Sequence, residues 1–576
     1  LWNGLVHDRS GHYGYGLTMA VAVENGDPVR FVDELLKAKV WPPLHGLLVV
    51  PTQILTGNDW RFAVLPSLAG WVLMVVAVSI LAMQVSGGRD DAWLAGVVAF
   101  VFAALSPAHR IFATDIMLES LGAGLTALAV VVYTGAVERR DDVRWWRACA
   151  LVLTLLFFEK YNYWMIAVLA LFCAEGWRRR SALPSAGKLA EMAKKTCRRL
   201  MAEWKQPLSL LSLFLLAAVV VIQVHGPVAL KIFGEEIALY PPRNLLTAAY
   251  AAAFARVFFA LRKSRWRPND PVARVFCSWH VLPLAVSFLF PQRLAAFLQF
   301  LSPGNHGDSP VRDVPGAAAS YLAAMAGDYH SSGTLLAAAV LLALAACLSL
   351  GRGNSRLIAP LALLFIGLVL TLLHPNQKSR YLHSWLPMLW VLAGAGAATL
   401  TAGLKRPALA RTLSVVLVVL LALAGGSGWL DRGRSPETGN RGETHSLLDL
   451  SDSWLQHLPE RGGVLFLSTQ SCRPLVRWTF LEKFADLRRI RWAEFSATTE
   501  AEMAKEIRAR LEESSAETLV TLEFPQDSEL FFGVSDHAML RAVLPTLLEE
   551  QNRFAPVHQH HVMGANVRVW RRNSIP

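Results

Sequence analysis

Charged residues are scarce in this chain: Asp, Glu, Lys and Arg make up 17% of its 576 residues, against 53% hydrophobic. Soluble domains ordinarily carry about a quarter of their residues as charges, so a water-solvated enzyme is excluded as the first reading. Cysteine is scarcer still. Of the six, Cys149, Cys173, Cys277 and Cys347 lie in or beside apolar runs, Cys197 in a basic loop and Cys472 alone in the polar C-terminal part. That distribution excludes a disulfide framework and a zinc-type cysteine spacing. The sequence also shows no Gly-rich phosphate cradle, internal repeat, low-complexity tract or signal-peptide pattern. It opens at Leu1 in a polar stretch, and one further membrane helix upstream is expected.

What the chain has instead is apolar length. A bilayer-crossing helix needs about 20 mostly apolar residues, and the mean hydropathy is +0.36. Apolar runs between breakers predict about twelve spans, at 62–84, 92–106, 114–137, 148–158, 163–177, 207–224, 245–261, 276–290, 333–350, 357–373, 383–402 and 411–429. Lys and Arg outnumber the acids by 56 to 44. Most basic clusters fall in alternate short loops, such as Arg139 to Arg147, Arg178 to Arg199, Arg262 to Arg267 and Lys405 to Arg411. That is an orientation signal rather than a nucleic-acid footprint, and it assigns these loops to the cytoplasm. The opposite set is then extracytoplasmic: residues 1–61, the turns at 106–113 and 159–162, the segments 224–242, 291–332 and 374–383, and everything after Leu430.

Beyond Trp429 the composition changes. Residues 431–576 are expected to form a soluble extracytoplasmic α/β domain beside a membrane domain of residues 1–430. Strands are predicted at 464–468, 519–524 and 567–570, helices at 500–513 and 537–550, with a turn at Gly462-Gly463. The fold class is therefore an α-helical polytopic membrane protein with a C-terminal α/β domain. The alternating His558, His560 and His561 read as one solvated strand face. No metal site is predicted, although a divalent ion is left open.

Four polar places stand at the outward ends of apolar helices. The first is His7-Asp8-Arg9-Ser10-Gly11-His12-Tyr13, followed by Trp41-Pro42-Pro43-Leu44-His45. The second is Ser106-Pro107-Ala108-His109-Arg110, leading to Asp115 and Glu119. The third is Glu159-Lys160-Tyr161-Asn162-Tyr163-Trp164, and the fourth runs from His374 through Lys378, Arg380 and Tyr381 to His383. Ionisable groups at membrane depth are costly and mark functional sites or buried ion pairs. Pro42-Pro43 also reads as a helix end, and the Tyr and Trp residues as interfacial aromatics.

Taken in order and on one face, these places resemble the glycosyltransferase C superfamily over roughly residues 1–430, with the protein mannosyltransferases and the lipid A aminoarabinose transferase as the nearest pattern. The resemblance implies transfer of a sugar from a polyprenyl-phosphate donor to a protein, lipid or glycan acceptor on the outer face of a plasma membrane. Carried over by position, Asp8 is the acceptor's base and Glu119 the second-loop acid. Lys160, Lys378 and Arg380 then face the donor phosphate, while His12, Tyr13, His45, Arg110 and Asp115 are candidate substrate contacts. The chemistry suits these types, because displacing phosphate from an anomeric carbon needs a base at the incoming hydroxyl and cations where negative charge accumulates. Asp8 is followed by Arg9 rather than by a second acid, and Asp33-Glu34 is the alternative pair. Two other classes compete: an envelope polysaccharide ligase or polymerase working through Arg293, His306, Arg312 and His330, and a transporter or lipid flippase. The expected partners are membrane lipids, the lipid-linked sugar and its acceptor, with no nucleic acid and no cofactor.

Overall fold

The computed structural model describes residues 7–37, 41–87, 92–139, 142–180, 205–226, 229–232, 235–238, 242–262, 270–301, 313–350, 354–374, 378–404, 407–430, 441–468, 472–493, 495, 499–523, 534–550, 553–562 and 565–573, with 187, 191, 194 and 198. His306 and Arg312 lie outside them.

Residues expected to form an outer segment fold into three helices, α1 (His7–Glu24), α2 (Pro28–Lys37) and α3 (Leu44–Thr56). The bundle follows as α4 (Leu65–Val85), α5 (Ala92–Leu105), α6 (Pro107–Ala113), α7 (Leu118–Glu138), α8 (Val143–Glu159), α9 (Tyr161–Arg178), α10 (Pro207–His225), a hairpin of β1 (Ala229–Ile232) and β2 (Glu235–Ala238), and α11 (Arg243–Arg262). Next come α12 (Pro271–Ser287), α13 (Pro291–Leu301), α14 (Val314–Tyr329) and α15 (Gly333–Leu350). The bundle closes with α16 (Ile358–Leu373), α17 (Pro387–Ala402) and α18 (Pro407–Leu430).

Each of the twelve predicted runs is helical over most of its length. Among the described residues five helices are long and apolar enough to cross a bilayer unaided, and three further pairs, bent by 65°, 98° and 103°, raise the number to eight if each pair is one broken span. The chain is a multi-pass membrane protein. Two of the remaining runs fall short on length. Helix α17 has 16 residues and is buried on nearly every side, so neighbours rather than lipid surround it, whereas α8 carries Arg144 and Arg147 at one end and Glu159 at the other. The run at 92–106 is not one straight span, because Ser106-Pro107 turns it into α6.

Small residues let the central helices touch backbone to backbone. A Cβ on Gly70 of α4 would sit 2.3 Å from the Cα of Leu121, and one on Gly124 of α7 would sit 2.4 Å from the Gly70 carbonyl oxygen. On α17, a Cβ on Gly396 would fall 1.7 Å from the Leu342 oxygen. In lipid, where apolar burial gives little drive between helices, such close approach supplies the packing.

The C-terminal part contains α19 (Arg441–Leu455), β3 (Val464–Leu467), α20 (Arg473–Phe484), β4 (Ile490–Trp492), α21 (Glu500–Glu513), β5 (Thr518–Glu523), α22 (Val534–Glu550), β6 (Phe554–Val562) and β7 (Ala565–Arg572). Its sheet runs β4-β3-β5-β7-β6, with β4, β3 and β5 parallel and β7 antiparallel to both β5 and β6. Strand β5 is buried throughout, as a central strand covered on both faces must be. Helices α21 and α22 cover one face. The other face packs α19 and α20, and its apolar cluster continues into Tyr13, Leu17 and Val21 of α1. Polar contacts reinforce this seam. Trp478 Nε1 donates to Ser10 Oγ at 3.1 Å, Tyr13 Oη to Glu482 Oε1 at 2.7 Å and Arg477 Nη2 to Glu34 Oε1 at 2.8 Å.

Burial, and then the charge of Asp59, pushes the Glu482 carboxyl up from 4.5 to about 7, against the hydrogen bonds from Tyr13 and the Trp60 backbone N–H. A carboxyl raised on folding contributes stability that is full below about 4.5 and is lost as pH rises through about 7. Glu482→Gln is therefore expected to match the wild-type melting temperature at pH 4.5 and to exceed it at pH 8, as read by thermal unfolding in detergent. Gly70→Leu and Gly396→Leu are expected to abolish a monodisperse detergent-extracted fraction. Gly176→Leu, at a position with nothing within 4 Å of the added Cβ, is expected to leave it intact.

Candidate active site

Local sequence places each charge at a helix end. Asp8 lies in the first turn of α1 and Glu119 in the first turn of α7, where a carboxylate complements unpaired backbone N–H groups. Lys160 has extended backbone, φ −157° and ψ 113°, and is the single residue separating α8 from α9. Arg380 sits in the 3₁₀ turn Ser379–Ser384, which ends just before Pro387 opens α17.

These four groups form a chain alternating in sign. Lys160 Nζ donates to Glu119 Oε1 at 2.6 Å, the Arg380 Nε lies 3.9 Å from the same oxygen, and Arg380 Nη1 donates to Asp8 Oδ2 at 3.3 Å. The Lys160 ammonium also stands 4.7 Å from the Tyr163 ring centroid, and Tyr163 Oη donates to the Arg380 carbonyl at 3.3 Å. Glu119 is 1% exposed and Asp8 35%. The chain therefore runs from a sealed carboxylate to an open one.

All four line one cavity of about 540 Å³. His12 and Trp41 flank Asp8, Asn162 and Tyr381 add polar atoms, and Met165, Ile166, Phe300, Leu301 and Leu370 form an apolar wall. His12 stands one helical turn from Asp8, and burial holds its ring neutral, down to about 3. Two cations at one end of an apolar-walled space suit an amphiphile with an anionic head. A half-exposed carboxylate beside them can accept a proton.

The other predicted residues divide differently. Asp115 is sealed and accepts from Arg9 Nε at 2.6 Å. Tyr13 faces α20, as described above, and Arg110 on α6 does not line the cavity. His45 pairs with Glu159 at 3.2 Å behind His12. Lys378 was expected beside Arg380 but does not line the cavity, since two residues are about two-thirds of a 3₁₀ turn. The alternative acids Asp33 and Glu34 line a separate cleft of about 630 Å³ with Arg30, Arg473 and Arg477. Arg293 donates to the Trp41 carbonyl at 3.2 Å, to Tyr15 Oη at 3.3 Å and to the Leu35 carbonyl, so it fastens α13 to α1, α2 and the segment before α3. His330 bonds the Met325 carbonyl and accepts from Trp390 Nε1 inside the bundle. His558, His560 and His561 lie on the edge strand β6, and no cluster of three His, Cys, Asp or Glu residues that could hold a metal occurs among the described residues. Sequence reasoning missed the apolar wall and the α20 residues that seat α1, neither of which leaves a spacing signal.

No family model matches this chain, and no curated protein matches it. Among solved structures it is similar to ArnT from Cupriavidus metallidurans in the apo state, at 14% identity over 98% of this chain and 94% of that one, with a TM-score of 0.37. ArnT bound to undecaprenyl phosphate gives 14% identity over 98% and 94%, with a TM-score of 0.36. The oligosaccharyltransferase of Archaeoglobus fulgidus in the apo form gives 12% identity over 98% of this chain and 71% of that one, with a TM-score of 0.49. Likeness at this level concerns overall fold alone, and the site is read from its own residues.

Removing one member of a buried pair leaves an uncompensated charge, at a typical cost of about 3 kcal/mol. Lys160→Met is expected to lower the melting temperature in detergent, and adding Glu119→Gln is expected to recover most of the loss.

Proposed function

We propose that this protein is a membrane glycosyltransferase that moves a sugar from a polyprenyl-phosphate donor to an acceptor at the extracytoplasmic face. The observation that carries the reading is the meeting of Asp8, Arg380, Glu119 and Lys160 in one cavity with an apolar wall. In this assignment Arg380 and Lys160 neutralise the departing phosphate, where negative charge grows as the anomeric bond breaks. Asp8 takes the acceptor's proton, and the buried Glu119 holds both cations in place. Lys378 is left to the approach.

The sidedness rests on helix ends. Helix α9 has 18 residues, from Tyr161 beside the cavity to Arg178, so the Arg178–Arg180 cluster lies about 27 Å from the site along the helix axis. Basic clusters favour the cytoplasmic side, which puts the cavity on the other. Residues 1–430 are then the transferase unit. Residues 431–576 are an accessory unit seated on α1, where they bear on acceptor choice. The ligase alternative loses Arg293 to a structural role. A flippase would place its charges near the bilayer midplane, not at one set of helix ends.

The test uses the purified full chain in bilayers, a panel of radiolabelled polyprenyl-phosphate pentoses and hexoses, and total envelope extract as acceptor. Release of polyprenyl phosphate with labelling of the extract is expected for at least one donor, and failure of the whole panel sinks the reading. Asp8→Asn is expected to slow transfer by about 10²-fold or more while still binding polyprenyl phosphate. Arg380→Gln is expected to weaken that binding itself, measured by scintillation proximity.

A further inference from the structure

Behind the cavity lies a second pair of ionisable residues that the transfer chemistry above does not use. His45, in the first turn of α3, and Glu159, the last residue of α8, are 1% and 0% exposed, with His45 Nδ1 3.2 Å from Glu159 Oε1. Where Glu159 is ionised and His45 neutral, Nδ1 carries the proton and Nε2 keeps a bare lone pair. That Nε2, and Glu159 Oε2, have no hydrogen-bond partner among the described residues. An unmade buried hydrogen bond destabilises the fold, and Nε2 is the atom of this pair that can accept a proton.

The pair is connected to the cavity. The His12 ring lies 6.1 Å from the His45 ring, centroid to centroid, and 4.2 Å from that of Trp41, a separation that one bridging water spans. His12 and Asp8 are four residues apart on α1, hence on one face, and both line the cavity. Asp8, His12, His45 and Glu159 thus follow one another from the half-exposed carboxylate inward.

We propose that His12, His45 and Glu159 form a proton exit for the transfer reaction, with His45 as the buried acceptor; this rests on the glycosyl-transfer reading. As the acceptor oxygen bonds to the anomeric carbon, the bond from that carbon to the phosphate oxygen breaks and its electron pair leaves with the phosphate. The hydroxyl proton passes to Asp8. The neutral His12 ring takes it on one nitrogen and releases its own from the other, through one bridging water, to His45 Nε2, where Glu159 stabilises the imidazolium that results. Asp8 is thereby returned to its basic form while the sugar is still bound; once the product has left, the proton returns to solvent by the same groups through the half-exposed Asp8. His12 and His45 act through Asp8, so they are positioning and relay groups.

Two measurements test this. In the donor assay above, using whichever polyprenyl-phosphate sugar the wild-type chain consumes, His45→Asn and Glu159→Gln are each expected to slow release of polyprenyl phosphate by about 10-fold or more, with the double variant no slower than either. Imidazole in the buffer is expected to restore much of the rate, which a purely structural loss would not allow. Unchanged rates, or losses without imidazole rescue, overturn the exit. Independently of any donor, ¹⁵N-histidine spectra of the full chain in bilayers, with His45 assigned by its absence in the variant, are expected to show Nδ1–H and a bare Nε2 at pH 7. A proton on Nε2 overturns the exit even where transfer is observed. A silent donor panel beside the expected spectrum instead overturns the transfer chemistry that the exit would serve.

Discussion

A carboxylate sealed from water at the mouth of a membrane helix governs this structure. Glu119 is 1% exposed, and an isolated charge in that position would be strongly disfavoured. Its compensation comes from two distant parts of the sequence, Lys160 and Arg380, and each needs a local break in helical structure to arrive. The extended backbone of Lys160 ends α8 and starts α9, and the 3₁₀ turn before Pro387 carries Arg380. Backbone-close packing of α4 on α7, which Gly70 and Gly124 allow, fixes where Glu119 stands. The helix breaks and the glycine contacts therefore serve the same electrostatic requirement.

Helix α1 joins this cluster to the C-terminal sheet because it presents opposite faces to each. At 3.6 residues per turn, Asp8 and His12 lie together, and Ser10, Tyr13, Leu17 and Val21 lie roughly half a turn away. The first pair lines the cavity. The second set packs or hydrogen-bonds with the sheet's helix layer through Trp478 and Glu482. The C-terminal core is thus not self-contained, and a shift of α20 displaces the helix that bears Asp8. This mechanical link is what would let an accessory unit influence chemistry without contributing a reacting group.

Much of this was legible in the sequence for one reason: hydrophobic length and charge placement are local. The twelve runs, the strands expected at 464–468 and 519–524 and found at 464–467 and 518–523, and the helix at 500–513 follow from periodicity and turn residues. Lys160 stood out because it interrupts two apolar stretches, and Arg380 because it precedes a helix. What was not legible depends on tertiary geometry. Nothing in the spacing of Arg477, Trp478 and Glu482 says that they meet α1 and α2, more than 440 residues earlier. Lys378 and Arg380 read alike in sequence, yet only Arg380 lines the cavity. Arg293, a candidate only in the ligase reading, donates instead to the backbone carbonyls of Trp41 and Leu35.

The resting cluster holds two anions and two cations, so a phosphate that enters must compete with a carboxylate for its cations. The two carboxylates do not resist equally. Glu119 is held at 2.6 Å by Lys160 and is nearly sealed, whereas Asp8 is held at 3.3 Å and is 35% exposed. Exposed ion pairs are weak, and buried ones are costly to break, so Asp8 is the partner that yields Arg380. In the proposed reaction this makes donor binding the event that frees the base. While Arg380 stays on Asp8, the carboxylate is a poor proton acceptor. Once the phosphate takes Arg380, the same carboxylate has lost that counter-charge and stands beside the acceptor. In that reaction the basicity of Asp8 would depend on the presence of donor, and an acceptor that arrived first would meet an inactive site.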